Sequence, residues 1–120
     1  MTKEIIKKYG INFQNKIDED GTIEKIPMMN LDCILLLLVE WNAPDIDDGL
    51  LVDIDEALVN PNSEIEGGSS FVDILIYQDI TKFYPGSMGE IYSIPTIDFR
   101  EIVVGWRDFL LTPPLNGTKV

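Results

Sequence analysis

The strongest periodic signal lies near the C-terminal end. Phe99, Ile102, Val103, Trp106, Phe109 and Leu110 recur at steps of three and four, with Arg100, Glu101, Arg107 and Asp108 between them. That spacing gathers the apolar side chains into one stripe of a helix and predicts an amphipathic C-terminal helix over about 96–111. Thr96, following Pro95, is placed to cap it, and Asp98 adds negative charge in the first turn, where the helix dipole favours it. Gly105 costs about 1 kcal/mol relative to alanine inside a helix and is read as a point of close packing. Pro113 and Pro114 stop the helix, and residues 116–120 read as a loose tail.

The rest of the pattern is more broken. Lys3–Tyr9 predicts a short helix with Ile5 and Ile6 inward, ended by Gly10. Ile11, Phe13 and Ile17 fall at odd spacing on one face of a strand, although Asn15 interrupts them. Asp18-Glu19-Asp20-Gly21 is a turn, and Asp-Gly is a strong hairpin signal. Residues 22–26 then return as a second strand, limited by Pro27. Leu31–Trp41 contains a continuous apolar block from Ile34 to Val39. Asn30 as N-cap and the leucines favour a helix, whereas the block also suits a strand buried on both faces. A span of about 11–12 residues is long for a strand and tips the balance to helix. Ala43-Pro44 ends the element.

Residues 45–49 read as a loop. Leu50–Leu58 fits either period: Leu51, Ile54 and Leu58 are at helical spacing, Val52 and Ile54 at strand spacing. Asn60-Pro61-Asn62-Ser63 is a turn, and Gly67-Gly68-Ser69-Ser70 a flexible connection. Phe71–Tyr77 predicts a strand with Asp73 toward solvent. Asp79–Tyr84 and Glu90–Ile94 are further short strands, separated by a turn at Pro85-Gly86-Ser87. These elements predict a single α+β domain over 1–120: a mainly antiparallel sheet with helices packed on it.

Charge changes the picture. The chain has 21 acidic residues against nine basic ones and a net charge of −12. The stretch 26–81 holds twelve carboxylates and no Lys, Arg or His, whereas the remainder balances nine acids against nine bases. The whole net charge therefore belongs to one contiguous segment. An uncompensated patch repels itself and projects a strong negative field, and solubility alone is served by mixing signs locally. The expectation is a basic partner, namely another protein. A sequence pI near 4.1 argues against direct binding of nucleic acid or anionic membrane, both of which need clustered Lys and Arg. One cysteine, Cys33, precludes an internal disulfide and is expected as a buried core thiol. No signal peptide is read at the N-terminus, and the run from Cys33 to Val39 is far short of the roughly 20 residues that span a bilayer. A cytoplasmic setting is expected.

Candidate chemistry is thin. Asp45-Ile46-Asp47-Asp48-Gly49 invites a calcium loop, but with Gly49 at the sixth position Pro44 falls at the first. With Asp45 first, Glu56 falls at the twelfth but the glycine moves to the fifth; neither register works. There is no histidine, the usual general base near neutral pH, and no phosphate loop, nucleophile elbow or zinc spacing. No catalytic residue, metal or cofactor is expected. The expected partner-binding surface combines Asp45, Asp47, Asp48, Asp53, Asp55 and Glu56 as charge with Trp41 as anchor. Ile46, Leu50, Leu51 and Ile54 are the apolar residues interleaved with the acids. A patch combining the two can steer a cationic partner and then dock it.

Ile94-Pro95-Thr96, followed by Phe99, Ile102, Trp106 and Phe109-Leu110, resembles the closing segment of immunity proteins from bacterial polymorphic toxin and contact-dependent growth inhibition systems. The resemblance covers about the last quarter of the chain. It implies a small, cytoplasmic, non-enzymatic inhibitor that binds one cognate toxin domain, typically a basic nuclease. The matching residues read as scaffold. A carboxylate-based or metal-dependent hydrolase and an acidic adaptor subunit are the competing expectations.

Overall fold

The stripe on the C-terminal helix lies against a four-stranded antiparallel sheet. The computed structural model describes residues 1–120. The elements run α1 (Lys3–Tyr9), β1 (Asn12–Ile17), β2 (Ile23–Met28), α2 (Asp32–Leu38), α3 (Ala43–Asp45), a π turn (Ile46–Leu50) and α4 (Leu51–Val59). They continue with β3 (Ile65–Gly68), β4 (Asp73–Ile76), β5 (Ile80–Tyr84), a 3-10 turn (Gly86–Met88), β6 (Tyr92–Pro95) and α5 (Thr96–Leu110). This is an α+β fold with one two-stranded and one four-stranded antiparallel sheet and a C-terminal helix.

The larger sheet has the order β3-β4-β5-β6. Ile74, Ile76, Thr81, Phe83 and Ile94 point to its inner face and are buried. There they meet α2, α4 and α5, with Phe83 and Phe99 edge to face at 5.1 Å. Glu66, Leu75 and Lys82 pair across the other face, which no helix covers, as is common for an antiparallel sheet.

Both helix-or-strand ambiguities resolve to helix. Leu37 and Leu38 of α2 and Leu51 and Ile54 of α4 are buried together in the core. The reading of Asn30 as N-cap is corrected: Leu31 occupies that position without a side-chain cap. The Asn30 side chain instead lies against Gly10, whose left-handed φ of 60° ends α1. Pro44 does not terminate an element either. Asn42 caps the next helix, its Oδ1 accepting from Asp45 N–H at 2.9 Å, so Pro44 falls in the first turn, where its missing N–H costs nothing.

Other expectations are corrected by tertiary contacts. Residues 45–49 are helical and not a loop, because α3, the π turn and α4 follow one another without a break. Ile6 is exposed; only Ile5 and Tyr9 of α1 face inward. Thr96 is the first helical residue and Pro95 takes the cap position. Since β6 runs straight into α5, the Thr96 side chain is already turned to the sheet. Its hydroxyl donates to Tyr77 O at 2.6 Å and lies 2.9 Å from the Thr81 hydroxyl. Gly67 and Gly68 form the end of β3 and are not a free connection.

Strand β2 continues through Pro27 to Met28. The tail explains this. Ile23 N–H donates to Thr118 O and Gly117 N–H to Ile23 O, both at 2.8 Å. Residues 116–120 therefore dock along β2 and are not loose. Alternation puts the backbone of Lys25 and Pro27 on that same side, away from β1, so the proline removes no β1–β2 hydrogen bond. Met1 lies over Gly105, where an added Cβ would approach its Sδ to 2.7 Å; the expected close packing is there. No helix is long and apolar enough to cross a membrane.

An acid-lined cleft beside Trp41

The segment from α3 to α4 carries all six expected partner-binding carboxylates, and the structure distributes them. Asp47 accepts from Arg107 Nη1 at 2.8 Å and Asp55 from Arg100 Nε at 2.6 Å. Both arginines come from α5, so these two acids are compensated by a part of the chain outside the acidic stretch. The segment's charge is less bare than its sequence implied. Asp53 is half-buried, and desolvation, with the Glu56 carboxylate adding repulsion, raises its pKa. Glu56 is exposed on the same helix. The apolar residues expected between them as anchors are not available: Ile46, Leu50, Leu51 and Ile54 are all buried in the core.

Asp45, Asp48 and Trp41 do come together. With Glu40, Gly49, Gly68, Ser69 and Ser70 they line an open cleft of about 650 Å³. None of its three carboxylates has a cationic partner within the chain. One wall is the half-buried Trp41 ring, which lies across Gly49; a Cβ there would stand 3.6 Å from Cζ3. The π turn brings Gly49 to this point without interrupting the helix, and such single π turns recur at functional sites. The opposite wall is the tip of the β3–β4 hairpin. Glu40 accepts from Ser70 N–H at 2.6 Å, and that bond, its first cause, holds the carboxyl below its ordinary range. Three carboxylates, Glu40, Asp45 and Asp48, thus face one cleft without a cation beside them.

Trp41 also borders a second cleft of about 440 Å³ toward Trp106, Leu110 and Leu115. Trp106 itself is core: it is buried, and its Nε1–H donates to Leu38 O at 3.1 Å. Phe71, read from the sequence as a strand residue, stands at the hairpin tip next to Ser70 and is 53% exposed. Glu40, Ser70 and Phe71 were missed as candidates, because the contact that assembles them joins residues 30 apart and leaves no local pattern. Cys33 is buried, and burial pushes its thiol up, away from reactivity. No three His, Cys, Asp or Glu side chains are arranged to hold a metal ion. In comparisons with known proteins, no family model, no curated protein and no solved structure matches the chain.

Proposed function

We propose that this protein is a non-enzymatic immunity-type inhibitor, acting in the cytoplasm, that neutralises a cognate basic toxin domain of the nuclease class. The observation that carries the reading is the cleft: three carboxylates without internal counter-ions, set around an aromatic wall. Carboxylates so placed can stand in for nucleic-acid phosphates, and Trp41 can receive an arginine or lysine on its ring face. The remaining surface acids extend the same field and favour fast, steered encounter. The resemblance of residues 94–110 to immunity proteins supports the same assignment and concerns scaffold, not cleft.

The test is to seek a toxin reading frame in the adjoining gene and to reconstitute its domain with this protein. Nuclease activity should disappear at one equivalent of the protein. Association should slow as salt rises, because steering is screened beyond a Debye length of about 8 Å at physiological ionic strength. Asp48→Lys should weaken binding more than Asp47→Lys, since Asp47 is already held by Arg107. Full nuclease activity in the presence of excess protein would overturn the proposal.

A further inference from the structure

We propose that the open edge of β3 is a docking strand, and that its occupant is an extended, lysine- or arginine-bearing segment of the partner protein. This rests on the preceding reading only in taking the partner to be cationic.

The hydrogen-bond alternation identifies which backbone groups are free. Ser69 N–H donates to Val72 O and Tyr77 N–H to Ile80 O, both at 2.9 Å. Continuing each ladder in steps of two, Val72, Ile74 and Ile76 bond toward β3 while Asp73, Leu75 and Tyr77 bond toward β5. In β3, Ile65 and Gly67 then serve the pair with β4, and the N–H and C=O groups of Glu66 and Gly68 point outward. β3 is the end of the sheet, and no turn, cap or side-chain hydrogen bond reaches either residue. Proteins ordinarily blunt such an edge. Here the β2 edge is covered by the tail, and β6 ends in Pro95. β3 has neither device.

Its surroundings specify the occupant. On the solvent face Glu66 stands beside Leu75, and Asp73 follows on the neighbouring strand. These residues and Tyr84 line a groove of about 470 Å³. A strand added to β3 would bring alternate side chains over those carboxylates, where lysine or arginine is complementary. On the inner face Gly67 has no side chain; a Cβ there would stand 3.5 Å from Ile74 Cγ1. The intervening residues of the incoming strand therefore meet an apolar notch. The favoured segment alternates cationic and apolar residues. A second copy's β3 would place Glu64 and Glu66 against their own kind, which is repulsive. β1, the other exposed edge, carries Lys16 and three amide side chains, and lacks this negative frame.

The probe is a capped Lys-Val-Lys-Val-Lys-Val peptide added to isotopically labelled protein, with Glu-Val-Glu-Val-Glu-Val as control. The lysine peptide should shift the Glu66 and Gly68 amide resonances and slow their hydrogen exchange; the glutamate peptide should not. Glu66→Pro removes an outward N–H and leaves the β4 ladder to Gly67. It should abolish this protection while the Gly67 and Ile74 amides remain protected. Protection at Phe13 and Asn15 of β1, no protection anywhere, or the same protection from self-association without peptide would each overturn the proposal. With the cognate toxin domain, Glu66→Pro should weaken binding about tenfold, the consequence of leaving one partner carbonyl unpaired and of removing one carboxylate of the frame. Undiminished affinity there overturns strand docking but leaves the inhibitor reading intact, whereas peptide docking without toxin inhibition does the reverse.

Discussion

Glu40 and Ser70 are joined by a hydrogen bond of 2.6 Å from the Ser70 backbone N–H to the Glu40 carboxylate. It ties the turn after α2 to the tip of the β3–β4 hairpin and so joins the two walls of the acid-lined cleft. The Glu40 carboxyl is held below its ordinary value of 4.5 mainly by that bond. The contribution of a group with a depressed folded-state pKa is present above its unfolded value and lost as pH falls through the depressed one. The Ser70 amide should therefore keep its chemical shift down to about pH 4.5 and move only below it. Glu40→Gln should remove this titration and speed Ser70 exchange at every pH. An acid transition at Ser70 that survives Glu40→Gln would assign the tip to another group.

Phe71 stands on that same tip with over half its surface in solvent. Large aromatics at the centre of an interface dominate its energy. Phe71→Ala should leave the thermal midpoint within about 2 °C, as surface substitutions do. It should weaken binding to the proposed toxin partner by about 2 kcal/mol. Equal affinity of the variant, measured by calorimetry, would place Phe71 outside the interface.

Asp53 is raised by desolvation first and by the Glu56 carboxylate second. Its charged form is thus disfavoured by folding, and the cost is present at neutral pH. As pH falls through the raised value toward the ordinary 3.8, the folded state takes up the proton first and the cost disappears. Asp53→Asn should stabilise the protein at pH 7 by about 0.5 kcal/mol, and the gain should vanish near pH 3. Urea unfolding at the two pH values measures both. A gain that persists in acid would mean that packing, not charge, is responsible.

Lys25 is 2% exposed, yet no carboxylate neutralises it. Its Nζ donates to Asn15 Oδ1 at 2.7 Å and Thr112 Oγ1 at 3.4 Å and lies 4.2 Å from the centre of the Phe109 ring. Burial holds the ammonium below the ordinary lysine range. The unfolded chain binds this proton more tightly, so the Lys25 contribution to stability rises with pH between the lowered value and about 10.5. Tyr9 opposes it above about pH 10, because burial, then its bond to Asp98, raises its phenol. Lys25→Met should flatten the rise seen below pH 10 and be neutral or stabilising at pH 7. Lys25→Ala should cost about 1–3 kcal/mol through lost packing on Phe109. A pH profile unchanged by Lys25→Met would show that the rise has another source.

Local chemistry settled the elements whose signals repeat within a few residues. The stripe from Phe99 to Leu110 needed no distant partner to read as a helix, and the Asp-Gly turn at 20–21 needed none to read as a hairpin. The α+β class followed from these. The segregation of charge was likewise complete in the sequence, because a count of acids and bases does not depend on folding. Four features belonged to the tertiary structure alone. Arg100 and Arg107 reached back from α5 to neutralise Asp55 and Asp47. Ile46 turned into the core instead of out among the acids, because a helical turn, unlike the expected loop, gives it an inward face, and Ile54 followed on the inward face of α4. The tail closed one edge of β2, while β3 was left bare. Glu40 and Ser70 met across 30 residues of chain. Each depends on where separate elements come to rest, and that is set by the shared burial of apolar faces, a sum over the whole molecule that no short window of residues contains.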